Sequence, residues 1–291
     1  MLNGLDALVI DLQDVGARPY TYIWTIKHAL EAAVENDIEI WVLDRPNPVG
    51  GLGVDGGVLK PDHFTFVGGA EIPLCHGMTM GEMALFVKNN YFPTAKLNVL
   101  WMDNYKSDSF FDETGLPWVI PSPNMPTLDT AIVYPGMVIF ETVNVSEGRG
   151  SVIPFELFGA PFINKVEFLK ELKRHNLEGF ILREHDFIPT FNKFTKENCA
   201  GFQIHVTDRK KLKPVAMAAA ILQAIYKTST QFNYTDGPYE YEYEKLPIDI
   251  VSGDTTLRKW IESNGSIDDL LNIWKSEQVG FTKEFEKVKH Y

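Results

Sequence analysis

An apolar run ending at Leu12 delivers Gln13, Asp14, Gly16, Arg18, Tyr20 and Tyr22 in close succession, with Asp11 just before them. Acids, an amide, a guanidinium and two phenols at the end of a strand are groups that can hold and protonate a polar ligand. In open α/β sheets ligands collect beyond the carboxyl ends of the strands, where helix N-termini also point. Asp14 is therefore the first candidate for acid–base chemistry, and Arg18 is a candidate for ligand positioning. The plainer alternative is that Asp14 caps the next helix and pairs with Arg18.

A second concentration runs from Phe140 to Ser151 and holds Glu141, Asn144, Ser146, Glu147 and Arg149, the last flanked by Gly148 and Gly150. Arg149 either presents its planar fork to a ligand carboxylate or pairs with Glu141 or Glu147. Glycoside hydrolysis needs two carboxyl groups, one that keeps its proton and one that is ionised. Asp14 and Glu141 are the better candidates. Asp11 sits inside an apolar strand, and Glu82 is accounted for by a capping box with Thr79. His76, just ahead of that helix, can donate to a hydroxyl or shuttle a proton. No Gly-x-Ser-x-Gly, His-Glu-x-x-His, Walker loop or Gly-x-Gly-x-x-Gly after the first strand occurs, which weakens serine-nucleophile, zinc and nucleotide-cofactor chemistry. No cofactor and no metal are expected.

The elements that must position these groups alternate. Ala7 to Leu12 reads as a buried strand, and Ile23, Ile26, Leu30, Ala33 and Val34 as a helix whose first turn suits Pro19. Ile38 to Leu43 is a second strand, giving a right-handed parallel crossover. Asp44 to Pro48 and the glycines that follow form a long loop. A helix starts at Thr79, Leu97 to Met102 is a strand, and Ser122 to Thr127 is a rigid loop. A domain transition is placed around Thr130 to Gly136. Beyond it, Val138 to Val143 and Phe202 to Val206 read as strands. Val166 to Arg174, Val215 to Tyr226, Thr255 to Glu262 and Ile267 to Lys275 read as helices, and Tyr234 to Glu244 as an exposed loop or edge strand. The fold class is α/β: a Rossmann-like parallel-sheet domain over 1–132, then a smaller α/β domain over 133–291. Opening almost directly on a buried-type strand, the chain is expected to have further sheet neighbours before residue 1.

Composition narrows the function. The 291 residues carry a net charge of -12, which argues against a nucleic-acid partner, and an anionic small ligand would need local arginines. Two cysteines, Cys75 and Cys199, are too few for structural zinc. No apolar run is long enough to span a bilayer, so no transmembrane segment is expected.

With these residues in hand, the chain resembles the exo-β-N-acetylmuramidase family formerly known only as a domain of unknown function. The resemblance rests on Asp11-Leu12-Gln13-Asp14-Val15-Gly16-Ala17-Arg18, Leu43-Asp44-Arg45-Pro46-Asn47-Pro48, His76-Gly77-Met78-Thr79 with Gly81-Glu82, and Ser122-Pro123-Asn124-Met125-Pro126-Thr127. It continues through Tyr134-Pro135-Gly136, Ser146-Glu147-Gly148-Arg149-Gly150, Pro154-Phe155-Glu156 and His205-Val206-Thr207-Asp208.

The resemblance implies a cleft between the two domains that binds the non-reducing end of a peptidoglycan-derived saccharide and releases N-acetylmuramic acid. That sugar carries a lactyl carboxylate, which Arg149 or Arg18 would hold in an otherwise acidic protein. Tyr20 and Tyr22 would stack on a pyranose face. Gln13, Asn47 and Asn124 would bond hydroxyl and acetamido groups, with His76 and Glu147 completing the binding set. Relatives carry an earlier segment with a Gly-Pro-Glu-His-Gly motif whose glutamate is a leading candidate for the acid. The opposing expectation is a non-catalytic protein that binds amino sugars or muropeptides. Relatives are often exported or lipid-anchored, so a cell-envelope address is expected; the start shows no export signal, which keeps a cytoplasmic address open.

Overall fold

The computed structural model describes every residue except Met1 and Asn3. Strands β1 (Ala7–Ile10), β2 (Glu39–Leu43) and β5 (Lys96–Leu100) form a parallel sheet in the order β1-β2-β5. Helices α1 (Tyr22–Asn36) and α2 (Met80–Tyr91) share one core with it, where Ile10, Ile40 and Val42 meet Ile23, Ile26, Leu30, Met83 and Val87. Val9, Trp41 and Leu100 are exposed to solvent. Between β2 and α2, the antiparallel pair β3 (Asp55–Val58) and β4 (Pro73–Cys75) replaces the expected irregular loop in part. The helix α1 begins at Tyr22, so Pro19 lies ahead of it rather than in its first turn. The capping box at Thr79 forms: Glu82 N–H donates to Thr79 Oγ1 at 3.3 Å, and Thr79 N–H donates to Glu82 Oε2 at 2.9 Å.

The second half departs from its expected start. Leu128–Met137 is a helix, α3, capped by Thr127, and Val138–Thr142 continues as a 3-10 turn, so the strand expected over 138–143 does not exist. The stretch from Thr130 to Phe140 is buried on every side. A helix buried all round has no apolar stripe, so its sequence cannot be told from a core strand by period. Gly136 permits the burial, because a Cβ there would run into the carbonyl oxygen of Pro214. That proline opens α5 (Pro214–Thr228), the Ala-rich helix at the centre of the larger core.

Strands β6 (Leu157–Ala160), β7 (Phe180–Glu184) and β8 (Ala200–Val206) form an antiparallel sheet in the order β6-β8-β7, with α4 (Lys165–Leu172) beside α5. Helices α6 (Pro247–Ser252), α7 (Thr256–Glu262) and α8 (Ile267–Phe285) complete the chain. The last helix extends well past its expected end and returns to the first half. There Gln278 Nε2 donates to Gly56 O at 2.8 Å and Phe281 packs on Phe86. Val15, Ala17, Val49 and Leu74 belong to the same core as α3 and α5, so the two halves are joined by a continuous apolar interior.

Candidate active site

The turn after β1 is shaped by Gly16. Its φ of +78° is a left-handed conformation, and a Cβ would collide with Asn47 Oδ1 and Val49. Gly16 N–H donates to Asp14 Oδ2 at 2.7 Å and Gly16 O accepts from His76 N–H. Asp14 and His76 are thereby buried side by side, at 5% and 1% exposure. Met78 N–H donates to His76 Nδ1 at 3.2 Å, so the neutral ring carries its proton on Nε2, which faces Asp14 Oδ2 from 3.5 Å. Gln13 Nε2 ties this turn to the next strand end by donating to Asp14 O at 2.8 Å and Pro46 O at 2.9 Å. Asn47 is consumed in its own turn, accepting from Val49 N–H and donating to Met78 O.

Arg18 does not face a cleft. It is fully buried, and its guanidinium donates to the carbonyls of Gly57, Ile72 and Val251 at 3.2, 2.8 and 2.7 Å. The last of these lies in α6, so Arg18 ties the halves together instead of positioning a ligand. Burial pulls its pKa down to about 9.

From the other half, Arg149 Nε and Nη2 both donate to Glu141 Oε1, and Tyr239 O–H donates to Glu141 Oε2 at 3.0 Å. Both Glu141 oxygens are thus engaged, while its side chain stays partly exposed. Burial lowers the Arg149 pKa, but the charge of Glu141 and the hydrogen bond to it outweigh this and hold it above the usual guanidinium value. Glu147, 1% exposed, accepts from Lys193 Nζ at 2.8 Å and Asn192 Nδ2 at 3.3 Å, with Arg149 Nε 3.5 Å away. Arg149 Nη1 has no hydrogen-bond partner among the described residues.

A ladder of rings connects the two turns. Tyr22 meets Tyr20 edge-on at 5.2 Å, Tyr20 meets Tyr134 at 6.1 Å, Tyr134 meets Phe155 at 4.8 Å, and the Arg149 guanidinium lies 5.0 Å over Phe155. Burial raises the Tyr134 pKa well above that of a free phenol, and the charges of Glu141 and Asp14 add to the rise. Tyr20 and Tyr22 also line a cavity of about 330 Å³ with Pro121, Ser122 and Pro123, and Tyr22 O–H donates to Pro121 O at 3.4 Å. A neighbouring cavity of about 290 Å³ shares Pro121 and is lined by Asp11, Gln13 and Arg45. Asp11 is an exposed partner of Arg45, which holds its carboxyl below the usual range. Asn124 is half-buried in the loop that walls the first cavity.

Tyr134, Phe155, Lys193 and Tyr239 were not expected in this cluster. Tyr239 lies in the acid–tyrosine alternation, which gave no sign of a partner 98 positions away. The Tyr134-Pro135-Gly136 stretch was visible, but its helical course was not. No group of three or more His, Cys, Asp and Glu side chains is arranged to hold a metal among the described residues.

Comparison with known proteins gives the family of the chain. The N-terminal family of exo-beta-N-acetylmuramidase NamZ matches residues 1–129 and the corresponding C-terminal family matches 132–291. The peptidoglycan beta-N-acetylmuramidase NamZ of Bacillus subtilis (strain 168) is 40% identical over all of this chain and 69% of its own length. Two crystal structures of DUF1343 family proteins from Bacteroides fragilis NCTC 9343 are similar. One has a TM-score of 0.89 at 30% identity, covering 100% of this chain and 76% of that one. The other has a TM-score of 0.76 at 27% identity, covering 98% and 75%. The chain belongs to the exo-β-N-acetylmuramidase NamZ family.

Proposed function

We propose that this protein is a glycoside hydrolase that releases N-acetylmuramic acid from the non-reducing end of peptidoglycan fragments, in the cleft where the Asp14 and Arg149 turns meet. Support comes from the similarity to the Bacillus muramidase over the whole of this chain and, in the structure, from the ring ladder that runs from Tyr22 and Tyr20, which follow the Asp14 turn, through Tyr134 and Phe155 to Arg149 and its partner Glu141. The ladder is the observation that carries the site assignment.

Hydrolysis breaks the bond between the anomeric carbon and the bridging oxygen. That oxygen must gain a proton as it leaves, and water must supply the new hydroxyl. Asp14 is assigned to proton transfer: one of its oxygens is fixed by Gly16 and the other is unengaged. His76 Nε2–H stands beside it, 3.5 Å from Oδ2, as a neighbouring dipole and not as a hydrogen-bond partner. Arg149, aligned by Glu141 and Glu147, is assigned to the lactyl carboxylate through its unengaged Nη1. Glu141 acts here by positioning Arg149 and Tyr239. Tyr20, Tyr22 and Asn124 wall the sugar, while Gln13 and Asn47 shape the turns that carry Asp14.

Incubation with the disaccharide of N-acetylmuramic acid β-linked to N-acetylglucosamine, followed by mass analysis, tests this. Free N-acetylmuramic acid is the expected product; saturable binding with no release would leave a binding protein instead.

A further inference from the structure

Between α5 and α6 the chain makes a tight hairpin. Tyr239 N–H donates to Glu242 O and Glu242 N–H to Tyr239 O, each at 2.9 Å, with Glu240 and Tyr241 as the two central residues. Their φ angles are +46° and +70°. Positive φ at both centres is the pattern of a type I′ turn, which asparagine and glycine adopt readily and a glutamate–tyrosine pair does not. Strain of this kind persists where the surrounding structure holds it for a purpose.

The hairpin joins three places. At its base, Tyr239 reaches Glu141 inside the site. At its tip, the Tyr241 ring stands edge-on to Phe66 of the first half, 5.6 Å between centroids and 87° between planes. Phe66 is itself at the tip of a tight turn closed by Thr65 and Gly68. Beyond the tip, Glu242 Oε1 accepts three successive backbone N–H groups, from Tyr243, Glu244 and Lys245, which fixes the returning segment. Tyr241 remains 77% exposed and Phe66 44% exposed, so their contact hides little apolar surface. Folding gains little from holding an aromatic ring in strained backbone at such a tip. An exposed ring on a rigid support, two residues along the hairpin from the Tyr239–Glu141 bond, offers a face for the C–H side of a pyranose.

We infer that Tyr241, braced on Phe66, is an aromatic platform for the sugars beyond the cleaved bond, so that the protein prefers glycan fragments over N-acetylmuramic acid carried on a small leaving group. The inference rests on the saccharide site proposed above and specifies the part of the substrate that this site does not hold.

The test compares kcat/KM for a tetrasaccharide glycan fragment with that for 4-methylumbelliferyl N-acetylmuramide. The wild-type ratio is the reference. Tyr241→Asn keeps a residue suited to the left-handed backbone and removes the ring, and is expected to lower the fragment-to-monosaccharide ratio about tenfold. Tyr241→Phe should retain the ratio, and so should Tyr243→Asn, which removes an exposed tyrosine outside the Phe66 contact. An unchanged ratio in Tyr241→Asn overturns the platform. If the wild type cleaves neither substrate, the hydrolase reading fails by itself. The platform is then read by calorimetric binding of the tetrasaccharide against free N-acetylmuramic acid, where Tyr241→Asn must narrow the affinity gap about tenfold and an unaltered gap refutes it.

Discussion

His76 Nε2 lies 3.5 Å from Asp14 Oδ2, and neither that nitrogen nor Asp14 Oδ1 has a hydrogen-bond partner among the described residues. Buried polar atoms left open cost about 1–3 kcal/mol each. Under the proposed function, these two atoms on the turn shaped by Gly16 are the ones that a ligand's polar group or a water would satisfy.

Asp14→Asn retains an oxygen that can accept from Gly16 N–H, so the turn is expected to survive. Release of N-acetylmuramic acid should fall by about 100-fold or more, the usual contribution of a positioned proton-transfer group. The check is turnover per folded molecule alongside thermal melting. Turnover within a factor of about two of wild type would take proton transfer away from Asp14.

Arg149→Lys keeps the charge but loses the fork. Lysine's donors all sit on one nitrogen, so it cannot hold Glu141 and reach a ligand carboxylate on the far side as the planar fork can, and KM for an N-acetylmuramic acid glycoside should rise about tenfold, with a smaller change in kcat. The matching N-acetylglucosamine glycoside, which has no lactyl carboxylate, should show no comparable rise. Equal effects on both sugars would mean that Arg149 does not read the carboxylate.

Arg18→Met removes the donors to Gly57, Ile72 and Val251; Ile72 O keeps its bond from Leu59 N–H, while the buried carbonyls of Gly57 and Val251 lose the guanidinium. A loss of about 3 kcal/mol in unfolding free energy is expected. Urea denaturation measures it. Folded variant protein at low temperature should keep near wild-type turnover, because Arg18 touches no part of the site. Full stability with lost turnover would reverse that assignment.

The end of α2 nearest the sheet offers a pH-dependent prediction. Asp44 accepts from Gly81 N–H, Arg45 N–H, Thr79 O–H and, at 2.8 Å, Tyr291 O–H. Burial raises its pKa despite these donors. A raised carboxyl pKa costs stability once the group is ionised, so its penalty is absent below the unfolded value of about 3.9 and grows as pH climbs through the folded value. Tyr291→Phe removes a donor that favours the ionised form and lifts the folded pKa further. Its cost should therefore be about 1.5 kcal/mol at pH 7 and smaller near pH 4. Denaturation at the two pH values decides; a cost that does not depend on pH would mean Asp44 is protonated in both.

Both polar turns were legible in sequence because each carries charges immediately after apolar residues, a pattern that residue type alone exposes. The parallel unit β1-α1-β2 followed from period and length. What stayed hidden depended on partners distant in sequence. Arg18 looked like a ligand group because its three carbonyl partners come from residues 57, 72 and 251. Tyr239 looked like one of several surface tyrosines until the hairpin brought it to Glu141. Val138 to Val143 looked like a strand because full burial erases the helical stripe. The Thr79 capping box was predictable for the opposite reason: its two bonds span three residues.

A crystal structure of the protein with N-acetylmuramic acid bound bears on all of these roles at once. The sugar should lie between the two turns, its lactyl carboxylate within about 3 Å of Arg149, its ring against Tyr20 and its anomeric oxygen near Asp14. A sugar seated elsewhere, with Asp14 and Arg149 both untouched, would contradict a site shared by the two halves.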